Sequence, residues 1–87
     1  LMLKADGFDK AFLGVAQRFG QEDIIAYDKD ECIAILCRRD GMTYEEALEF
    51  FNYNVIGSWV GEKTPIFIKR YGSMKEFEDY FIYDISG

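Results

Sequence analysis

Histidine is absent from the sequence, and its absence removes several kinds of catalytic and metal site. Without an imidazole there is no Ser-His-Asp or Cys-His triad and no histidine acid–base chemistry. Most zinc sites use histidine as well. We therefore expect no triad-based catalysis, and no bound metal or cofactor.

Cysteine and long apolar runs are also scarce. Cys32 and Cys37 lie five residues apart in a predicted helix, which separates them by about 140° around its axis. They cannot pair there, so we expect reduced thiols that pack as small apolar groups. No run of about 18 apolar residues exists, so no membrane span is expected. Lys4 and Asp6 interrupt the first residues, which lack a signal-peptide pattern, and a cytoplasmic location is the default expectation.

Positive charge is in short supply. The sequence has 10 Lys and Arg against 16 Asp and Glu, a net charge of −6. A phosphate backbone is bound by clustered cations, so we expect no direct binding of nucleic acid and no attraction to an anionic membrane. A protein partner with a basic surface fits this charge better.

Apolar and aromatic residues, in contrast, are plentiful. Hydrophobic residues make up 49% of the 87 residues and aromatic residues 17%. This length and composition predict a single domain spanning residues 1–87, with rings to fill most of a small core. Some rings would be left for an interface, so a homodimer is compatible with the composition.

Three capping motifs divide the chain. In each, an oxygen-bearing residue precedes a glutamate by three positions, as in a capping box. The motifs predict helices over residues 29–39, 43–56 and 74–81, with Gly41 ending the first. The apolar spacing predicts the buried side chains of the three helices: Ile33, Leu36 and Cys37; Tyr44, Ala47, Leu48, Phe51, Val55 and Ile56; Met74, Phe77 and Phe81.

The remaining apolar segments read as strands. Residues 12–19 and 23–27 flank a turn at 20–22 and predict a hairpin, and residues 66–71 follow Pro65 as a third strand. The predicted fold is α+β, in the order β-β-α-α-β-α. It has a small three-stranded antiparallel sheet with three helices packed on one face.

Two motifs suggest ligand binding but have simpler explanations. Gly57 and Gly61 are spaced as in a phosphate loop, yet no Lys-Ser/Thr pair follows them, so a turn is expected. Asp28 and the acids after it could suggest a cation site. An EF-hand loop, however, has glycine where Ile33 stands, and a helix cap accounts for Asp28 and Glu31.

The candidate binding surface lies on the second helix. Its glutamates can form a solvated face, a partner-binding face or, on the weakest reading, a catalytic group. Asn52 can close the helix or contact a ligand, and Trp59 can cover the core or anchor a partner. The acids of the third helix form a second patch. The candidate partner-binding residues are Glu45, Glu46, Glu49, Asn52, Tyr53, Trp59, Glu76 and Asp79.

Residues 32–47 and 54–67, which include Arg38-Arg39-Asp40-Gly41-Met42 and Gly61-Glu62-Lys63-Thr64-Pro65, resemble a group of small uncharacterised proteins of phage, prophage and bacterial genomes. The resemblance covers about half of the chain. It implies a small cytoplasmic protein, often encoded on mobile DNA. It carries no functional residues over, because the group has no assigned activity.

Three functional hypotheses follow. The first is a non-enzymatic protein-binding module that uses an acidic helical surface against a basic partner, with a phage-type inhibitor or anti-defence protein as its specific form. The second is a self-assembling accessory or structural module that uses surplus rings. The third and weakest is a small enzyme that uses carboxylates and a divalent metal. We do not expect an enzyme.

Overall fold

A computed structural model describes residues 2–58 and 61–81, without the side chains of 79–81. Its elements follow the predicted order and confirm an α+β fold. They are a short 3-10 turn (Asp9–Ala11), strands β1 (Phe12–Ala16) and β2 (Ile24–Asp28), helices α1 (Lys29–Asp40) and α2 (Tyr44–Phe50), a π-helical segment (Phe51–Ile56), strand β3 (Ile66–Ile68) and helix α3 (Met74–Phe81).

The sheet is mixed, so the prediction of a fully antiparallel sheet is wrong. β2 lies in the centre and pairs antiparallel with β1, as the predicted hairpin requires, but it pairs parallel with β3. Two helices and the π-helical segment separate β2 from β3 in the chain. A connection this long can return a strand in either direction, whereas only a tight turn forces antiparallel pairing.

Both outer strands are shorter than predicted. The last described pair between β2 and β3 joins Asp28 to Ile68, and α1 begins at the next residue, Lys29. Because β2 turns directly into a helix, residues 69–71 have no continuing strand beside them. The pairing of β1 ends at Ala16 and Ile24, which leaves a longer connection than the predicted turn.

One face of the sheet carries the aromatic core. Tyr27 is almost fully buried, and its ring stacks on Phe67 with centroids 5.7 Å apart. Phe67 in turn meets Phe51 of the π-helical segment edge to face, at 5.1 Å. The backbone N–H of Ala5 donates a 2.8 Å hydrogen bond to the Tyr27 hydroxyl. The core therefore joins both parallel strands, the π-helical segment and the N-terminal residues.

Helix α1 has the predicted span and cap. The Asp28 carboxylate accepts a hydrogen bond from the Glu31 backbone N–H at 3.2 Å, and Gly41 ends the helix with φ of 67°. Arg70, just after β3, pairs with the same carboxylate at 2.9 Å. The buried side chains are Cys32, Ile33, Ile35 and Leu36, while Cys37, predicted to be buried, is half-buried.

Helix α2 begins as predicted, with a complete capping box between Thr43 and Glu46. The predicted α-helix through Ile56 is wrong in its second half, because the chain continues from Phe50 as a π-helix. The extra residue per turn changes which side chains face the core. Ala47 and Phe51 are buried and Leu48 and Val55 half-buried, but Ile56, predicted inside, is 50% exposed. Tyr44, also predicted inside, is 61% exposed at the first residue of α2, where the π-helical turn has no effect.

Helix α3 also matches its predicted span. Ser73 caps it, accepting a hydrogen bond from the Glu76 N–H at 3.1 Å. Phe77 is half-buried and meets the Tyr71 ring at 5.1 Å, but Met74, predicted to be buried, is 68% exposed. The apolar spacing identifies which side of a helix faces the rest of the protein. It does not show whether another element covers every residue on that side. The Phe81 side chain lies outside the described part.

Gly57 ends the π-helical segment at a point where its Cα lies close to the backbone of the preceding turn. Its N–H donates to the Asn52 carbonyl at 3.2 Å, and a methyl group on its Cα would lie 2.6 Å from the Tyr53 carbonyl oxygen. We expect Gly57→Ala to lower the free energy of unfolding by about 1–3 kcal/mol, as forced overpacking does. Urea unfolding measures this change. Ser58→Ala, at the next and exposed position, is the control and should fall within about 0.5 kcal/mol of wild type. Equal stability of all three proteins would contradict the packing argument.

Candidate protein-binding surface on the second helix

The outer side of α2 and the π-helical segment is exposed because the inner side is occupied by the core. Ala47 and Phe51, four residues apart, point inward and are fully buried. Leu48 and Val55 are half-buried and pack against the core, whereas the side chains on the other side face solvent and Tyr53 is 77% exposed. The predicted site residues on this segment, all of them exposed, are Glu45, Glu46, Glu49, Asn52 and Tyr53.

A shallow groove of about 420 Å³ runs along this outer side. We call it the α2 groove. It is lined by Met42, Glu46, Glu49, Phe50, Tyr53 and Asn54. Three predicted site residues meet there, namely Glu46, Glu49 and Tyr53. Glu45 and Asn52 are exposed nearby but do not line it.

Sequence reasoning left three groove residues out of the site. Met42, Phe50 and Asn54 fall at four-residue steps with Glu46, so helical spacing alone placed them on one side of the chain. The spacing could have identified them if the site had been defined as a helix face. Defining it by acidic charge omitted the apolar and amide members.

The Glu46 carboxylate is held in place by the helix start. Its Oε1 atom accepts a 2.9 Å hydrogen bond from the Thr43 backbone N–H, while the Glu46 N–H donates to the Thr43 hydroxyl at 3.2 Å. Hydrogen bonding of the Glu46 carboxylate, first with the Thr43 backbone N–H and then with the Thr43 side chain, lowers the pKa of the Glu46 carboxyl. Glu46 is therefore a charged and positioned carboxylate at neutral pH.

The chain segment that forms the α2 groove carries no positively charged residue. No lysine or arginine occurs between Arg39 and Lys63. Within residues 2–58 and 61–81, no ion pair involves Glu45 or Glu49. These carboxylates therefore give the helix an uncompensated negative surface.

The predicted acids of the third helix do not extend this surface in the described residues. Glu76 serves the start of α3, where its Oε2 atom accepts a 3.0 Å hydrogen bond from the Gly72 N–H. It does not line the α2 groove. The side chain of Asp79 lies outside the described part, and so does Trp59 in full.

The acids around the start of α1 are matched by cations. Asp30 pairs with Lys69 at 2.6 Å and Glu31 with Arg38 at 2.9 Å, beside the Asp28–Arg70 pair described above. The predicted helix-cap role of Asp28 is confirmed. Across the described part of the chain, no cluster of three or more acidic or sulfur side chains is arranged to hold a metal ion.

Cys32 is placed as a core residue. It is fully buried, and burial, reinforced by the charges of Asp28 and Glu31, raises the pKa of its thiol to about 12. A thiol that stays protonated at neutral pH is a poor nucleophile. Both cysteines are free, as predicted.

Comparisons of this chain with protein-family models, with curated proteins and with solved structures find no match. The resemblance of residues 32–67 to small phage and bacterial proteins therefore stays a prediction. Among the helices in the described ranges, none is long and apolar enough to cross a membrane.

The raised thiol pKa predicts a loss of stability at high pH. Folding raises the Cys32 pKa from 9.0 to about 12, so the stability that the protonated thiol contributes is fully present below pH 9. It is lost as the pH rises toward the folded value, at up to about 1.4 kcal/mol per pH unit. Urea unfolding between pH 8 and pH 11 measures the loss. A Cys32→Ala variant corrects for tyrosine and lysine titration, and an equal slope in both proteins would contradict the assignment.

Proposed function

We propose that the chain is a non-enzymatic protein-binding module that uses the outer side of α2 and the π-helical segment against a basic surface of a partner protein. The observation that carries the proposal is the α2 groove. It combines carboxylates without described ion pairs and a 77% exposed tyrosine, in a stretch of sequence without lysine or arginine.

Two physical effects support binding here. Uncompensated carboxylates steer a basic partner toward the helix and raise the association rate. Exposed rings such as Tyr53 and Phe50 offer the large, stiff contact area that dominates binding energy in many interfaces. The carboxylates would thus raise the association rate, and the rings would provide most of the binding energy.

The same geometry disfavours catalysis by these carboxylates. General acid–base groups are usually placed in clefts, beside apolar groups or other charges that adjust their acidity. Glu45 and Glu49 are exposed on a helix surface. We therefore favour binding over an enzymatic role for this surface.

The specific form of the proposal is an inhibitor of a nucleic-acid-handling protein, of the kind encoded by phages. Carboxylates along a helix can occupy a basic groove where phosphates would otherwise lie, because both present spaced negative oxygens to lysine and arginine. The net charge of −6 and the predicted phage resemblance support this form.

Charge reversal on α2 tests the proposal. We expect Glu45→Lys/Glu49→Lys to weaken binding of a basic partner at least about tenfold at low salt, because like charges would face each other. Glu46 is left unchanged because it caps the helix. The readout is quantitative mass spectrometry of proteins retained from a bacterial lysate, followed by calorimetry with the retained protein.

Glu22→Lys/Glu62→Lys is the matched control, since both residues are exposed and lie outside the α2 groove. It changes the net charge by the same amount and should keep the partner. Equal retention by both double variants would show that overall charge, or another surface, accounts for binding.

A second candidate function is self-association, and the exposed outer strands of the sheet favour it. β1 is an edge strand without a charged residue, and Phe12, Leu13 and Val15 are 54%, 41% and 46% exposed. Ile66 and Ile68 of β3 are also more than one-third exposed. Uncharged apolar edge strands are templates for pairing with another chain.

Self-association predicts a concentration-dependent mass. We expect sedimentation velocity to show dimer growing with concentration in the wild type, and Val15→Lys to reduce it, because a charge on an edge strand opposes pairing. Asn52→Lys adds the same charge at an exposed position of the π-helical segment, outside the sheet, and should still dimerise. A wild type that remains monomeric throughout contradicts this second function.

A further inference from the structure

The lining of the α2 groove is chemically mixed, and this mixture narrows the kind of group that fits it. Glu46 and Glu49 supply carboxylate oxygens, and Phe50 and Tyr53 supply rings. Met42 adds a thioether, which makes favourable contacts with apolar stems and aromatic edges. Asn54 adds an amide that can accept a hydrogen bond.

An arginine side chain matches all of these groups at once. Its guanidinium is planar, donates in a fork to carboxylates and stacks on aromatic faces, and its stem is apolar. A lysine ammonium satisfies the charge but has no plane to stack and no fork. The presence of rings beside carboxylates is therefore the feature that separates the two cations.

One carboxylate of the groove is positioned before a partner arrives. The capping box holds one oxygen of Glu46 on the Thr43 N–H. Glu49 and Tyr53 stand four residues apart, which brings a carboxylate and a ring onto the same side of the helix. Preorganised groups lose little conformational freedom on binding, which favours affinity.

Among the residues that the structure describes, no arginine lines the α2 groove. Arg38, Arg39 and Arg70 pair with acids elsewhere, namely Glu31, Asp40 and Asp28. An arginine from outside would therefore enter without displacing any of these internal ion pairs.

We infer that the α2 groove binds an arginine side chain of the partner protein and discriminates against lysine. The inference rests on the proposed function, because it assigns the chemistry of the partner residue that the acidic surface binds. It makes Tyr53 and Phe50 the residues that determine specificity, and Glu46 and Glu49 the residues that bind the charge.

The test uses two short probes, acetyl-Gly-Arg-Gly-amide and acetyl-Gly-Lys-Gly-amide, titrated into the full chain. Chemical shifts of the Met42 methyl group and the Tyr53 ring report binding by NMR. We expect the arginine probe to bind at least about fivefold more tightly than the lysine probe, because only the guanidinium stacks and forks.

Three variants assign the selectivity to the groove. Tyr53→Ala should reduce the preference for arginine, because only the Phe50 ring is left to stack on the guanidinium, and Tyr53→Phe should keep the preference because it keeps a ring. Tyr44→Ala removes an exposed ring of the same helix outside the groove and should change neither affinity.

Either of two results would overturn the inference. If both probes bind the wild type equally, the groove recognises charge alone, and the proposed function stands without arginine selectivity. If neither probe shifts the Met42 or Tyr53 signals, the groove is not a binding site for either cation. In that second case the Glu45→Lys/Glu49→Lys experiment decides separately whether the acidic surface binds a partner at all.

Discussion

The burial of Tyr27 is the interaction on which the rest of the fold depends. Tyr27 lies on the central strand, where its backbone pairs with Phe12 of β1 and its ring stacks on Phe67 of β3. Through Phe67 it reaches Phe51 and hence the π-helical segment. Its hydroxyl, which would be costly to bury alone, accepts the hydrogen bond from Ala5 and ties down the N-terminal residues. A small core with one such centre fixes the position of every element that touches it.

The junction between β2 and α1 leads the chain toward α2 and its groove. Asp28 is the last residue of the strand and the cap of the helix, so no loop separates the two elements. Arg70 and Lys69, at the end of the neighbouring strand, pair with Asp28 and Asp30 and hold that strand beside the start of the helix. α1 then ends at Gly41, and the turn to Thr43 starts α2 with its acidic side outward.

The sequence predicted those parts of the fold that local chemistry determines. Helix starts were found because a cap and its glutamate are neighbours in sequence, and Gly41 marked an end for the same reason. Strand direction was missed because it depends on how a long crossover returns, which no residue near β3 records. The π-helical turn was missed because its hydrophobic spacing also fits an α-helix.

The candidate site was also predicted only in part. Glu46, Glu49 and Tyr53 were identified from charge and from ring surplus, and the structure brings them to one groove. Glu76 is predicted from its charge to belong to a second acidic patch on the third helix, yet in the structure its carboxylate accepts a hydrogen bond at the start of that helix. Charge alone does not reveal whether a carboxylate already has a hydrogen-bond donor within the fold.

Glu46 has a second role in the capping box of α2, and this role limits which residues of the groove can be substituted during evolution. A substitution there alters the groove and also removes a hydrogen bond on which the start of α2 relies. Adaptation to a new partner is thus expected to spare Glu46 and to vary its neighbours Glu49, Phe50 and Asn54, which have no such tie to the start of the helix. Under the proposed function, Glu46 would stay constant, and substitutions at the neighbouring groove residues would change which partner the groove binds.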